Sequence, residues 1–374
     1  MNFLQFKSSS KSNFLEQCKI INWEVIFILF LFFLTGSAVL YSASGGNLNL
    51  LVKNHIIKFL FSSTVFIFLL LINYKFIKSL GLYFYLISVA SLIFLIFFGT
   101  ESAGSKRWIS LGFFSIQPSE FAKIFLVLAI AKYYSEVAYI KNNSFIKSIF
   151  PILLILVPFL LIVNQPDLGT SLLLLANGLS IIIVSGINVW LIVIGVIIFI
   201  SLIPLAWNLL HNYQQNRILT FLNPENDPLG SGYHIAQSKI AIGSGGFTGK
   251  GYMQGSQSQL EFIPEIHTDF VFSIFSEEFG FLGSIIIILL HFYLFFYGMK
   301  SSFYANNEFD KLVVFGLTIN YFFYFLTNIS MVIGLIPVVG VPLPVISYGG
   351  SSMLAIIISF AIIQKININR KLAN

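Results

Sequence analysis

Apolar residues come along this chain in long unbroken blocks rather than in alternation. The runs FILFLFFL at 27–34 and IIIILL at 285–290 have no polar partner at period two, so the every-other-residue rhythm of a membrane β-barrel is absent. Blocks near 20 residues match the length of an α-helix crossing a bilayer, and a helix satisfies its own backbone hydrogen bonds in lipid. The pattern predicts ten spans, at 21–41, 55–73, 80–98, 119–135, 149–164, 168–185, 189–207, 271–297, 311–331 and 351–366. The expected fold is all-α, a polytopic integral membrane bundle of about ten transmembrane helices. A large extracytoplasmic loop, 208–270, separates helices 7 and 8. A single membrane domain is expected over 1–374, with cytoplasmic tails at 1–20 and 367–374.

Composition agrees with this pattern. The chain is 57% hydrophobic and only 10% charged, with a mean hydropathy of +0.87; a soluble domain carries about 25% charged residues. The only cysteine is Cys18, so no internal disulfide forms and the redox compartment is not readable. The polar N-terminus carries Lys7, Lys11 and Lys19. The apolar run after it lacks a clear signal-peptide cleavage pattern, so 21–41 is read as a retained span.

The net charge of +6 is weak evidence for nucleic acid, because many of the basic residues flank spans, where they set topology. With the N-terminus inside, ten spans return the C-terminus inside. Lys7, Lys11, Lys19, Lys75, Lys78, Lys132, Lys141, Lys147, Lys300, Lys311, Lys365, Arg370 and Lys371 then sit on the inner side, 13 of the 21 basic residues. Both termini are therefore expected in the cytoplasm. The longer outer segments are 99–118, 207–270 and 332–350, with shorter ones at 42–54 and 165–167. The motif-like sequence gathers on this face, which points to work at the outer leaflet.

The segment 207–270 holds five of the fifteen acids and three of the five histidines. It ends in EIHTDF, where Asp269 meets the next apolar span beside His267 and Thr268. A carboxylate at the membrane edge can be desolvated, raising its pKa toward that of a working base. As a helix-start acid it would instead be stabilised as the anion. Both readings stand on the spacing alone. The run GSGGFTGKG at 243–251 lacks the Ser or Thr of a phosphate-binding P-loop and fails the dinucleotide fingerprint. Its glycines admit close backbone approach to a ligand, or simply make a solvated loop. Gln254, Gln257, Ser258 and Gln259 form a neutral row suited to sugar or amide recognition. Glu277 and Glu278 enter the following helix.

Three other outer segments carry candidates. Lys106 and Arg107, beside Trp108, suit a phosphate, Arg through its planar fork, or ordinary headgroup contact. Glu120 and Lys123, three apart after Pro118, share a helix face and can pair within an apolar span, as a functional or a structural pair. Asp167, in NQPDLGT, can cap the next helix or contact substrate or an ion. The breaker-rich 334–352, GLIPVVGVPLPVISYGGSS, reads as non-helical backbone lining a cavity or packing against helices, and brings Ser351. No zinc-type spacing and no Ser-His-Asp arrangement is readable.

These segments, in order and over nearly the whole chain, resemble the SEDS family (shape, elongation, division and sporulation), the integral-membrane peptidoglycan polymerases. The carrying motifs are KRWISLGFFSIQPSEFAK, NQPDLGT, GYHIAQSKIAIGSGGFTGKG, SQLEFIPEIHTDFVFSIFSEEFG and GLIPVVGVPLPVISYGGSS. QSQLEFIPEIHTDF with GSGGFTGKG looks more like the rod-shape branch than the division branch. The resemblance implies lipid II as substrate and a β-1,4 glycan strand as product, with undecaprenyl diphosphate released and C1 inverted. It places the catalytic aspartate at Asp269 and family positions at Arg107, Glu120 and Lys123. It also implies a class B penicillin-binding protein transpeptidase as partner, within an elongation complex of other membrane proteins. On that reading Arg107, with Lys106, Arg217, Lys239 or Lys250, neutralises the leaving pyrophosphate; Asp167, Gln257, His267 and Ser351 join them as candidate substrate contacts. No cofactor is required by the motifs, although a divalent cation, Mg or Mn, can serve the same pyrophosphate. Rival readings are a lipid II flippase and a non-catalytic scaffold. The gathering of polar groups on one face rather than at midplane weighs against the first, and the outward polar cluster against the second.

Overall fold

A computed structural model describes residues 19–102, 105–110, 115–137, 144–186, 189–210, 212–223, 230–259 and 267–373. Its helices, in chain order, are α1 (Trp23–Ala43), α2 (Leu50–Leu71), α3 (Tyr74–Phe98), α4 (Pro118–Val137), α5 (Ser144–Val163), α6 (Leu168–Val184), α7 (Val189–Leu209), α8 (Asn212–Leu222), α9 (Ser231–Ser244), α10 (Ser256–Gln259), α11 (Val271–Phe303), α12 (Glu308–Val332) and α13 (Gly350–Ala373). Each apolar stretch read from the sequence overlaps one of these helices, running past its end by a residue or two in several cases. By length and composition, α1, α2, α3, α11, α12 and α13 are long and apolar enough to cross a membrane. The chain is a multi-pass helical membrane protein.

Helix boundaries follow local chemistry. Asn22, Asn49, Asn73 and Asn307 each cap a helix by accepting a backbone N–H through the side chain, satisfying a donor that the first turn leaves orphaned. Pro118 opens α4 at the one helical position where a missing N–H costs nothing.

The bundle is ordered from the inside out. The apolar stretch of α13 is 94% buried and that of α12 67%, against 22–28% for α2, α3 and α11. Helix α12 packs on α4, α6, α11 and α13, while α13 lies along α2. The outer helices leave large apolar side chains uncovered, such as Phe27, Ile57, Ile67, Phe97 and Ile286. In water such a belt would be an aggregation surface; in a bilayer it meets lipid tails as apolar as itself.

Two expectations change. The segment from 367 is not a tail but the last turns of α13, where Asn367 is buried and donates to Tyr297 and Ser301. Nor is 208–270 a plain loop: it carries α8, α9 and α10, and α9 packs on α11. Segment 99–118 holds an antiparallel sheet of β1 (Thr100–Ser102), β2 (Ser105–Ser110) and β3 (Ser115–Ile116), with Ile109 opposite Ile116.

Candidate active site

The candidate residues gather around the breaker-rich segment that joins α12 to α13. Gly340, at a φ of 74°, makes a turn few other residues adopt. A carbon placed on its Cα would sit 3.6 Å from Oδ2 of Asp269, so the carboxylate lies against this turn. Asn328 of α12 fixes both sides of that contact. Its buried Nδ2 donates to the Asp269 carbonyl at 2.9 Å and to the Val341 carbonyl at 2.8 Å. The Tyr348 N–H donates to the His267 carbonyl at 2.9 Å. His267, Thr268 and Asp269 therefore meet the 334–348 segment as one strip.

Beside this strip opens a cavity of about 440 Å³, lined among others by Arg107, Asp167, Gln214, Arg217, Val338 and Val339. Its wall is chiefly apolar, with cationic groups at two points. The Arg107 Nη2 donates to the Pro166 carbonyl at 2.7 Å, and its Nη1 lies 3.8 Å from Asp167. Arg217 donates to the Val338 carbonyl at 3.1 Å. A backbone carbonyl anchors each guanidinium at the cavity, and Asp167 stands beside that of Arg107. Gly169, at the start of α6, has no room for a side chain because Val339 O would be 2.6 Å away; this close approach brings the wall together.

Asp167 caps α6 by accepting the Thr170 N–H at 3.2 Å, and it accepts from Gln117 Nε2 at 3.0 Å. The capping role read in the sequence is thus present, and the same carboxylate orients Arg107. Glu120 and Lys123 form a buried pair at 3.0 Å. The Tyr324 hydroxyl donates to Glu120 at 2.5 Å, and Lys123 Nζ sits 4.2 Å from the Tyr324 ring centre. Both charges are enclosed between α4 and α12, so the pair braces the bundle behind the cavity and does not line it. Ser351 accepts the Gln117 N–H at 3.0 Å and donates to the Ser115 carbonyl at 3.3 Å; it stitches α13 to β3 and α4 rather than facing the cavity.

The glycine run does something the motif tests did not suggest. At Gly280 helix α11 breaks, with φ 65° and ψ −162°. An unbroken helix would pair the N–H of Phe281 and Leu282 with the carbonyls of Glu277 and Glu278. Here Phe281 N donates to Gly246 O at 2.9 Å and Leu282 N to Phe247 O at 3.1 Å. The freed carbonyls of Glu277 and Glu278 accept from Lys250 N at 3.0 Å and Gly251 N at 3.1 Å. The run is a clasp laid into the helix, and it satisfies both orphaned donors and both orphaned acceptors. Gly249 and Gly280 touch backbone to backbone, leaving no space for a Cβ on either. The close approach that glycines permit is to a helix, not to a ligand.

This reassigns three candidates. Lys250 Nζ pairs with Glu277 at 2.6 Å, and the backbone N–H of Gln257 donates to both oxygens of Glu277 at 3.2 Å, so both residues serve the clasp. Lys239 is exposed on α9, with its aliphatic stem under Gly334, and is not in the cavity wall. Lys106 lies on β2 opposite Glu101, its side chain outside the described residues. Ser258 and Gln259 likewise have no described side chain. Residues Gln117, Tyr324 and Asn328 carry much of the geometry yet were not singled out as site residues. A polar group in the middle of an otherwise apolar span was the available signal for Asn328. Among the described residues no three His, Cys, Asp or Glu side chains converge as a metal site.

A chiefly apolar cavity carrying two arginines, set in a multi-pass helical bundle with an aspartate beside it, defines a membrane protein with an amphipathic, cation-bearing pocket. The chain belongs to the cell cycle protein family of FtsW, RodA and SpoVE, whose model matches residues 16–372. It is 38% identical over 352 residues to peptidoglycan glycosyltransferase MrdB of Escherichia coli K12, covering 93% of this chain and 94% of the relative. The MrdB of Helicobacter pylori J99 is 40% identical over 288 residues, covering 72% and 71%. The probable peptidoglycan glycosyltransferase FtsW of Buchnera aphidicola from Schizaphis graminum is 36% identical over 291 residues, covering 77% and 82%. A solved structure described as structural coordination of polymerization and crosslinking by a peptidoglycan synthase complex matches with a TM-score of 0.80 at 26% identity, covering 94% of this chain and 98% of that one. The rod shape determining protein RodA of Thermus thermophilus has the same fold, with a TM-score of 0.70 at 23% identity, over 94% and 97%.

Proposed function

We infer that this chain is a peptidoglycan glycosyltransferase that polymerises lipid II into β-1,4 glycan strands, releasing undecaprenyl diphosphate, in cell elongation and the making of rod shape. The enzyme class rests on the family and on the relatives' activity. The observation that carries the site is the placing of Asp269 against Gly340, next to the Val339 wall of a cavity that presents Arg107 and Arg217.

Asp269 takes the proton of the acceptor sugar hydroxyl as that oxygen attacks C1 of the donor sugar. The new C1–O bond forms as the C1–O bond to the diphosphate breaks, and attack from the opposite face turns an α-linked donor into a β-linked product. Arg107 and Arg217 stabilise the negative charge that gathers on the departing diphosphate. The apolar wall suits the first carbons of the lipid, and the nascent glycan strand leaves on the outer side. The bilayer confines both lipid-linked reactants to two dimensions, which supplies proximity. A magnesium ion carried in with the diphosphate needs only one or two protein carboxylates. Asp167 is the carboxylate in the cavity wall that would meet such an ion, which would add charge neutralisation there while Asp269 keeps its role as base.

The charge bias supports ten crossings of the bacterial inner membrane with both termini cytoplasmic. A class B penicillin-binding protein is the partner that fits, since the synthase-complex structure couples polymerisation to crosslinking. The test uses purified full-length chain with its cognate transpeptidase and lipid II. Polymer from wild type, and none from Asp269→Asn at unchanged thermal stability, is the expected result. Undiminished polymer from Asp269→Asn removes it as base, and lipid II flipping in liposomes without polymer replaces the reading with transport.

A further inference from the structure

The clasp on α11 has no part in the chemistry above, yet its electrostatic centre is built with unusual care. Glu277 is fully buried. Its carboxylate accepts from Lys250 Nζ at 2.6 Å, from Ser256 Oγ at 3.1 Å and from the Gln257 N–H at 3.2 Å to each oxygen. Lys250 donates in addition to Ser256 Oγ at 2.8 Å, so two of its three donors are committed. Its charge is spent on Glu277 and is not available to an incoming diphosphate.

The position of Glu277 in the chain gives this pair a consequence. Gln257, held by Glu277, and Glu277 itself are 20 residues apart, and Asp269 lies between them, just ahead of the first residue of α11, Val271. Glu277 therefore closes the loop that carries Asp269. On the far side, Gly280 interrupts the main-chain ladder between 271–279 and the rest of α11, a break that the Ser284 hydroxyl spans by donating to Ser276 at 2.9 Å, and the four main-chain hydrogen bonds of the clasp fix the orientation of 271–279. Two more contacts seat the same segment. Ser238 of α9 bonds Ser273 at 2.7 Å, and Ser42 of α1 donates to Glu278. The first turns of α11 thus form a block whose attitude the clasp sets and just ahead of which lies Asp269.

We propose that Lys250 and Glu277 form a buried latch that positions Asp269. Lys250 is a positioning residue of the glycosyltransferase rather than a contact for the leaving group. This rests on the reading of Asp269 as the base. Removing the Lys250 charge leaves the buried Glu277 carboxyl without its cation, which loosens the clasp and the block beyond it. An amide at 277 removes that problem while its carbonyl still accepts from Gln257.

The experiment measures lipid II polymerisation by the full-length chain with its transpeptidase, for Lys250→Met, Lys250→Arg and the double variant Lys250→Met/Glu277→Gln. A small displacement of a catalytic group costs about 100-fold in rate, so kcat of Lys250→Met is expected to fall by about that factor with KM nearly unchanged. Lys250→Arg keeps activity, and the double variant recovers at least about tenfold over Lys250→Met, because coupled residues are non-additive. Hydrogen exchange of the peptide covering 267–273 needs no substrate; it accelerates in Lys250→Met and slows again in the double variant. A raised KM at constant kcat, or a double variant no better than Lys250→Met with exchange unchanged, overturns the latch. If Lys250→Met does not fold, a folded double variant as inactive as Asp269→Asn overturns it as well. A wild-type complex that makes no polymer defeats the glycosyltransferase reading alone, and the exchange measurement still decides the latch.

Discussion

Arg107 illustrates how one side chain can be shaped by its neighbours before it meets a ligand. The Pro166 carbonyl takes one arm of the guanidinium and Asp167 stands 3.8 Å from the other, while Nε is buried with no partner among the described residues. A lysine at 107 keeps the charge and loses the planar fork. For Arg107→Lys, kcat/KM for lipid II is expected to drop about tenfold, roughly 1.4 kcal/mol of transition-state stabilisation, in steady-state polymerisation. Lys123 is a different case. It is fully buried and bound to Glu120 and the Tyr324 ring, so Lys123→Ala leaves an uncompensated charge inside the bundle. A loss of about 3–5 kcal/mol is expected for breaking such a pair, read as a lower midpoint of thermal unfolding in detergent. Both effects were foreshadowed by local spacing, since Glu120 and Lys123 are three apart and Asp167 precedes a helix. The third member of the brace, Tyr324, was not, because nothing in the sequence near 120 points to residue 324.

At the scale of the element, α11 is the instructive helix. No proline interrupts it, and Ser276, Glu277 and Glu278 just before Gly280 are all compatible with a helix, so the sequence reads one unbroken span over 271–297. The backbone at 280 adopts a positive φ of 65° and touches Gly249, itself at 86°. For a residue with a Cβ this essentially glycine-only backbone region alone costs about 1–3 kcal/mol, and the collision with the clasp adds to it. Gly280→Ala is therefore expected to lower the unfolding midpoint and to reduce polymerisation, whereas Gly243→Ala, where a Cβ meets nothing within 4 Å, leaves both unchanged. Equal tolerance at the two positions would show that the clasp does not need its close backbone contact. Glycine spacing announced that something approaches closely; it did not say that the partner is a helix more than twenty-five residues downstream.

Across the whole molecule, burial and charge divide the work. The apolar belt on the outer helices assigns the lipid-facing surface, and the proposed orientation rests on the basic residues at the short loops. The proposed topology puts Asn47 outside and Asn306 inside. In a Cys18→Ser background, a membrane-impermeant maleimide applied to intact cells is expected to label Asn47→Cys and to spare Asn306→Cys until the membrane is opened. Labelling of the second in intact cells would reverse the orientation and move the cavity to the wrong leaflet for the proposed reaction.

What the sequence determined by itself is what is local or additive. Helix positions follow from apolar run length, Asp167 reads as a cap from its neighbours, and the family follows from motifs spread in order along the chain. The tertiary structure decided which polar groups share a site. Asp269, Gly340 and Asn328 meet across 59 and 71 residues of chain, and Lys250 reaches Glu277 rather than a diphosphate. Sequence spacing ranks a lysine by the chemistry it can offer. Only packing shows whether a buried carboxylate has already claimed it, because desolvation makes that pairing obligatory once Glu277 is enclosed.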